Sequence, residues 1–293
     1  MNRYAMRARA LLLMPLVAAL LAACAGPRLD IKPVSAQSGA DRTTDLRLAD
    51  SALAADDVPL STSLYEKALQ ADPNSLAAGL GLADAKYAAG DLEQARVLYQ
   101  RAAKQAPKAF APQLGLARVA LRQRHLADAE RRYRDLVVHH ADSPLAVEGL
   151  GTVLDLEGRH AQAQKVYRVG LQTWPYVKGL RIDLGLSLIL DNQPRAGANV
   201  LLDIAGLSDT PRQARQNLAL AYGLLGNDDA ARRILLVDLP ASSVDDNIRF
   251  YHRVRDALAA RRTKPTDGTA QTTRPVPTAM LQSRPLASAE SVQ

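Results

Sequence analysis

The segment LAAGLGLADAKYAAGDLEQARVLYQRAAKQAPK, at residues 76–108, contains the unit that recurs through most of this chain. It predicts two short amphipathic helices joined by a turn at Ala89, Gly90 and Asp91. Pro107 is expected to end the second helix, because a proline ring clashes with the preceding helical turn. The segment therefore predicts a pair of helices as the structural unit.

The same pattern returns every 34 residues without an insertion. The first helices carry a leucine series: Leu48, Leu82, Leu116, Leu150, Leu184 and Leu218. The residue after each leucine is always small: Ala49, Ala83, Ala117, Gly151, Gly185 and Ala219. The second helices carry a matching series: Tyr65, Tyr99, Tyr133, Tyr167, Leu201 and Leu235. A repeated helix pair that cannot bury its apolar side alone predicts an all-α solenoid of stacked units.

Composition and charge agree with this fold and exclude one class of partner. Apolar residues make up 47% of the chain and aromatic residues only 4%, which suits stacked helices better than sheets. The formal net charge is +7, and it falls to +4 if Arg3, Arg7 and Arg9 are removed with an export signal. That charge is too small to indicate nucleic-acid binding.

Residues 1–23 have the pattern of an export signal. The three arginines form a positive amino-terminal region, and residues 10–21 form an apolar run. This run is shorter than the ~20 residues that span a bilayer as a helix.

The end of that signal, Leu21-Ala22-Ala23-Cys24, resembles the lipobox of bacterial lipoproteins. The resemblance implies that Cys24, the only cysteine, is lipidated; the alternative is an ordinary signal peptide that contains a cysteine. Ala25 and Gly26 provide no aspartate retention signal. We therefore expect an outer-membrane lipoprotein on the periplasmic face of a Gram-negative cell.

The rest of the chain divides by composition and period. Residues 24–41 are expected to be the lipidated cysteine and a flexible tether, because they mix proline, glycine and serine without a period. Residues 42–239 are the solenoid, with about six helix pairs, and residues 240–262 form a capping helix. Residues 263–293, which are rich in proline, threonine and serine, are expected to be a disordered tail.

The repeated unit resembles the tetratricopeptide repeat. In the second unit the matching residues are Leu82, Ala83, Gly90, Ala95, Tyr99, Ala102 and Pro107. The resemblance implies a tetratricopeptide-repeat α-solenoid whose role is to bind other proteins.

Catalytic motifs are missing from the sequence. There is no HExxH or GxSxG pattern, and His139 and His140 would point about 100° apart on a helix, which makes a poor metal chelate. The Gly79-Leu80-Gly81 segment lies inside a helical pattern with no strand before it, so it is not a dinucleotide loop. We therefore expect no enzyme activity, no cofactor, no metal and no small-molecule substrate.

The remaining role is a binding surface on the concave side, which the first helices are expected to line. The residues predicted for this side are Leu80, Asp84, Tyr87, Leu114, Arg118, Leu121, Arg122, Thr152, Asp155, Ile182, Leu186 and Ile189. Because this set is apolar with a few charges, it favours an amphipathic helix or an extended peptide as the ligand.

Three glycines recur on that face at positions 81, 115 and 149, although each costs ~1 kcal/mol against alanine in a helix. Two explanations stay open: the glycines make room for a ligand chain, or they relieve crowding between neighbouring first helices.

A basic cluster lies in the third unit, at Arg122, Arg124, Arg131, Arg132 and Arg134. It is either a contact for anionic lipid or an acidic partner, or simply a solvated face.

The carboxyl-terminal part resembles a narrower family. The segment ARQNLALAY at residues 214–222, Gly226-Asn227, Asp238-Leu239-Pro240, Asn247 and Tyr251 resemble the end of TadD-type lipoproteins of the tight-adherence (Flp) pilus machinery. That resemblance implies an outer-membrane assembly factor that supports the pilus secretin, as a pilotin does. Two other functions stay open: an adaptor for cell-wall enzymes or outer-membrane protein assembly, and a general periplasmic scaffold.

Overall fold

The structure is a computed structural model that describes residues 40–206 and 210–263, and these residues form helices and turns with no strand. The helices are α1 (Ala40–Ala54), α2 (Val58–Ala71), α3 (Leu76–Ala88), α4 (Leu92–Gln105), α5 (Phe110–Arg122), α6 (Leu126–His139), α7 (Pro144–Leu156), α8 (His160–Thr173), α9 (Lys178–Leu190), α10 (Pro194–Ala205), α11 (Arg212–Leu224), α12 (Asp228–Leu235) and α13 (Ala241–Thr263). The predicted signal, Cys24, the tether up to residue 39 and the tail from residue 264 lie outside the described residues.

The helices α1 to α12 form six successive pairs, and α13 follows the last pair. Within each pair the two helices pack together, and the second helix also packs against the first helix of the next pair. The first helices of successive pairs contact each other as well, so they lie side by side on one surface. The all-α solenoid predicted from the 34-residue step is confirmed.

Every pair turns through a residue with positive φ, spaced 34 residues from the next. These residues are Asp56, Gly90, Arg124, Gly158, Asn192 and Gly226. The turn predicted at residues 89–91 is therefore present, and the same left-handed conformation is kept where the residue is not glycine. Pro107 follows the end of α4, as predicted.

The leucine and small-residue series form the core between pairs. Leu82, Leu116, Leu150, Leu184 and Leu218 are all buried, and so are the small residues that follow them. Leu48 differs, with 51% of its surface exposed. The reason is that each buried leucine packs against the preceding pair, as Leu82 does against Ala49 and Tyr65, and no described pair precedes α1.

The tyrosine series explains the three recurring glycines. A Cβ placed on Gly81 would lie 2.2 Å from the ring of Tyr65. The equivalent distances are 2.3 Å from Gly115 to Tyr99 and 1.9 Å from Gly149 to Tyr133. Each glycine therefore makes room for a tyrosine of the preceding second helix. Both earlier explanations, space for a ligand chain and relief between first helices, are wrong.

This tyrosine–glycine contact changes at the fifth pair. The position after Gly149 in the glycine series is Asp183, so no glycine is present there to receive Tyr167. The Tyr167 ring instead lies against Gly151 of its own pair, where a Cβ would be 2.2 Å away. Other pairs, except the fifth, have alanine at the position of Gly151. The glycine at 151 thus accommodates the ring that Asp183 displaces.

The last helix, α13, packs on α11 and α12 and covers the end of the stack. Its Tyr251 lies against Gly223, where a Cβ would be 2.3 Å from the ring. Before it, Arg215 makes two hydrogen bonds with Asp238, at 2.8 and 2.5 Å, and donates to the carbonyl of Thr210. Residues of the carboxyl-terminal resemblance therefore hold the end of the solenoid together.

Candidate protein-binding surface

Most of the predicted binding residues lie at least partly open on the side formed by the first helices, which we call the first-helix surface. The partly or fully exposed ones are Leu80, Asp84, Tyr87, Leu114, Arg118, Leu121, Arg122, Thr152 and Leu186. Asp155, Ile182 and Ile189 are buried, with 8%, 5% and 1% of their surface exposed. The interpretation that these three line an open face is corrected: they belong to the interior.

Asp155 is buried because it joins two helix pairs by hydrogen bonds. Its carboxylate accepts from Oγ of Ser187 at 2.6 Å, from Nδ1 of His160 at 2.7 Å and from the hydroxyl of Tyr167 at 3.1 Å. A buried carboxylate that is satisfied in this way stabilises packing and is not available to a ligand. The two isoleucines are buried for a simpler reason, since they pack in an apolar cluster with Leu201 and Leu218.

A basic site lies where α3 meets α5. The guanidinium groups of Arg118 and Arg122 are each 5.0 Å from the ring centroid of Tyr87. Arg122 also donates from Nη1 to the backbone oxygen of Tyr87 at 2.5 Å. These contacts hold two exposed cations in defined positions by cation–π attraction and one hydrogen bond. The nearby Asp84 accepts the hydroxyl of Tyr99 at 2.5 Å and so helps to fix the tyrosine series.

An acidic site lies on the next two first helices, between α7 and α9. The Glu148 carboxylate reaches across to α9 and lies over Gly179, where a Cβ would be 2.2 Å from Oε1. Asp183 follows Gly179 by one helical turn. Burial and the carboxylates of Glu148 and Asp155 raise the pKa of Asp183 to about 7. Burial also raises the pKa of Glu148 above its ordinary value.

Sequence reasoning missed Glu148 and Asp183, although the repeat register marks both. Glu148 occupies the position that holds Leu80, Leu114 and Ile182 in other pairs. Asp183 occupies the position of the three glycines that receive tyrosine rings. The pairs on either side of Glu148 have an apolar residue at its position, and the three pairs before Asp183 have glycine at its position, so each charge stands out in the sequence.

The arginines of the third unit do not form one basic patch. Arg131 and Arg132 both pair with Asp128, and Arg134 pairs with Glu130. Arg122 lies instead at the end of α5, against Tyr87, and Arg124 lies in the turn that follows. The interpretation as a solvated face with local ion pairs fits these three second-helix arginines best.

Other kinds of site are not found in the part of the chain that the structure describes. No group of three or more histidine, cysteine, aspartate or glutamate side chains has an arrangement that suits a metal ion. His140 packs its ring edge against Phe110, and His160 is bonded to Asp155. Among the described helices, none combines the length and apolar character needed to cross a bilayer.

Comparison with known proteins places the repeats in a recognised class. Residues 52–111 and residues 114–177 match two models of the tetratricopeptide repeat. No curated protein matches the chain. Such repeats typically form non-catalytic scaffolds for protein interaction.

Three solved structures illustrate the likeness. A tetratricopeptide repeat protein from Parabacteroides merdae has a TM-score of 0.62 and 9% identity, covering 75% of this chain and 87% of its own. PilW, a widely conserved type IV pilus biogenesis factor, has a TM-score of 0.61 and 17% identity, covering 71% and 97%. PilF of Pseudomonas aeruginosa has a TM-score of 0.56 and 14% identity, covering 76% and 99%. At these identities the comparison shows the fold.

Proposed function

Because this chain folds as a tetratricopeptide-repeat solenoid, we propose that it is a non-catalytic scaffold that binds protein partners on its first-helix surface. The observation that carries this proposal is the combination of exposed charge and apolar side chains on that surface. Arg118 and Arg122 stand beside Tyr87, and the partly open Leu80, Leu114 and Leu121 lie on the same helices. Aromatic and arginine side chains beside apolar surface are typical of sites that bind polypeptides.

The specific process we propose is assembly of a tight-adherence (Flp) pilus. Two observations support it: the resemblance of residues 214–222, with Asp238, Asn247 and Tyr251, to TadD-type lipoproteins, and the structural likeness to the pilus biogenesis factor PilW. In this role the protein binds the pilus secretin or another component of the assembly machinery and acts as a pilotin-like factor.

The proposed location is the periplasmic face of the outer membrane, with the protein held by lipid on Cys24. The support is the lipobox-like Leu21-Ala22-Ala23-Cys24 and the absence of aspartate at the next two positions. A single acyl chain binds a membrane only reversibly, whereas several chains hold firmly. The lipid therefore determines where the first-helix surface meets its partner.

The test replaces Cys24 with alanine in a strain whose pilus genes lie beside this one. We expect the secretin to be mislocalised or to remain unassembled, measured as the loss of secretin multimers from the outer-membrane fraction. A matched control is Lys104→Ala, which removes an exposed charge on α4 and should leave the multimers unchanged. Normal multimers in the Cys24→Ala strain would rule out the pilotin role.

In that event the adaptor function for cell-wall enzymes or outer-membrane protein assembly becomes the better candidate. It predicts a change in cell-wall composition or in outer-membrane protein levels, with pili intact.

A further inference from the structure

The first-helix surface carries two sites of opposite charge that do not neutralise each other. Arg118 and Arg122 form no ion pair within the part of the chain that the structure describes. Among the same described residues, no cation lies near enough to Glu148 or Asp183 to stabilise its negative charge. The sites are on consecutive first helices, since Arg118 is on α5, Glu148 on α7 and Asp183 on α9.

Each site is held in place by contacts of its own. At the basic site, Tyr87 contacts both guanidinium groups, and its carbonyl fixes Arg122. At the acidic site, Gly179 has no side chain, so the Glu148 carboxylate lies directly against α9. Because Tyr87 already holds the two arginines in position, a ligand that binds them loses less conformational entropy on binding.

The architecture of the repeat does not require the acidic site. Four of the five other pairs fold with leucine or isoleucine at the position of Glu148 and the sixth pair has the uncharged Gln216, while three pairs have glycine at the position of Asp183. Asp183 takes the place of the glycine against which a tyrosine ring packs in three other pairs. Gly151 compensates, because the Tyr167 ring packs against it instead. Two partly buried carboxylates without a counter-ion also cost stability. A charge that is costly and not needed for folding is best explained by a cation that arrives with the partner.

Building on the protein-binding function proposed above, we infer that the partner presents an extended segment carrying one acidic and one basic side chain. The acidic side chain binds Arg118 and Arg122, and the basic one binds Glu148 and Asp183. Neighbouring helices lie 8–10 Å apart, so the two sites are roughly 10–20 Å from each other. An extended chain rises ~3.4 Å per residue, which places the two charges roughly three to six residues apart.

An anionic membrane surface fits this site less well than a peptide. The arginines alone would attract lipid phosphates, but the unpaired carboxylates one helix away would repel them. A segment with both charges satisfies the two sites at once.

The test selects short random peptides, displayed on phage, for binding to the full chain purified in detergent. We expect the enriched peptides to share an acidic and a basic residue at the separation given above. The affinity of one enriched peptide is then measured by fluorescence anisotropy, together with two versions in which either its acid or its base is replaced by glutamine.

Paired variants of the protein assign each charge to its site. The double variant Arg118→Ala with Arg122→Ala should lower the affinity for the parent peptide by at least about tenfold. Replacing the acid of the peptide should then lower the affinity no further. The double variant Glu148→Gln with Asp183→Asn should lower the affinity for the parent peptide in the same way, and replacing the base of the peptide should then lower it no further. The control variants Lys104→Ala and Asp142→Asn remove exposed charges elsewhere and should leave the affinity unchanged. Thermal unfolding of each variant checks that the solenoid remains folded.

Enriched peptides without the charge pattern would overturn the inference and leave the scaffold function in place. The inference is also overturned if replacing the acid or the base of the peptide by glutamine lowers the affinity for the matching protein variant as much as it lowers the affinity for the original protein. If no peptide is enriched, the inference fails together with peptide binding on this surface, whereas the Cys24→Ala experiment tests the pilus role independently. A preference for anionic vesicles, abolished by the arginine variants, would identify lipid as the ligand and would also overturn the inference.

Discussion

The ring of Tyr65, on α2, occupies the space that a side chain at Gly81, on α3, would need. A Cβ at position 81 would lie 2.2 Å from Cε1 of the tyrosine, much closer than van der Waals contact allows. The same relationship joins the next two pairs through Tyr99 with Gly115 and Tyr133 with Gly149. The spacing of successive units is therefore set by an aromatic ring in direct contact with backbone.

Gly81→Ala is expected to destabilise the solenoid by about 1–3 kcal/mol, because the tyrosine ring is buried and has little room to move. Gly79→Ala, in the same helix, is the matched control, since a Cβ there has nothing within 4 Å. That change should stabilise the protein by about 0.5–1 kcal/mol through helix propensity. Thermal or urea unfolding measures both, and equal effects of the same sign would contradict the proposed contact.

Arg124→Gly is expected to stabilise the protein by about 1 kcal/mol. Arg124 has a φ of 63°, a conformation that glycine adopts without the steric cost an arginine Cβ incurs. The reverse change at the equivalent turn, Gly90→Arg, should lower the free energy of unfolding by a similar amount, since Gly90 has a φ of 84°. Urea unfolding of the two variants gives the comparison. A destabilised Arg124→Gly protein would show that the arginine side chain contributes more than its backbone conformation costs.

Asp183→Asn is expected to stabilise the free protein by about 1–3 kcal/mol at pH 8. The folded pKa of Asp183 is raised to about 7 by burial and by Glu148 and Asp155 on α7. Because the folded state holds this proton more tightly than the unfolded state, the stability that the proton supports is lost as the pH rises from about 4 to about 7. The gain from asparagine should therefore disappear below about pH 4.

The measurement is the free energy of unfolding of both proteins across that pH range. Asp203→Asn provides the control, because it replaces an exposed carboxyl group on α10 and should change the free energy of unfolding much less at pH 8. A gain that is constant with pH would show that the effect does not arise from the ionisation of Asp183.

The ion pair of Arg215 with Asp238 is expected to contribute about 1–2 kcal/mol of coupling energy in a double-mutant cycle with alanine. The two side chains are only 24% and 11% exposed and share two hydrogen bonds. Arg215 lowers the pKa of Asp238, so this contribution is present above the ordinary aspartate pKa and is lost as the pH falls through the lowered one.

The pair of Arg249 with Asp246 on α13 is the control, since both side chains are about half exposed or more. Its coupling should be at most about 0.5 kcal/mol. Hydrogen exchange should also show faster opening of α13 in Arg215→Ala than in Arg249→Ala. Equal exchange in the two variants would mean that Arg215 does not hold the end of the stack.

The sequence predicts the helix pairs and their register well, because stacking imposes the same environment every 34 residues. Leu116 and Tyr99 are buried where their series place them, and the turn predicted around Gly90 is present. The carboxyl-terminal residues Arg215 and Asp238 are recognisable by resemblance, but their direct bond becomes visible only when the two helices are placed together.

The exposure of the predicted binding residues follows less well from the sequence. Tyr87, Leu121, Asp155 and Ile189 occupy one repeat position, yet the first two are partly open and the last two are buried. The register gives the direction of a side chain around its helix, whereas its burial depends on partners such as Ser187 in the next pair. The role of Gly81 was missed for the same reason, since its contact is with a helix of the preceding pair.

The helix α13 also limits how this gene is able to change in length. It covers the face of α11 on which another unit would stack, with Tyr251 seated on Gly223. Recombination that duplicates the second or the third unit, within residues 76–143, keeps a tyrosine against a glycine at each junction, so the longer product should fold. An insertion after Leu239 separates α13 from the surface of α11 on which it packs and leaves an apolar end of the solenoid exposed. Descendants of this gene are therefore expected to gain or lose units internally while inheriting their last helix unchanged.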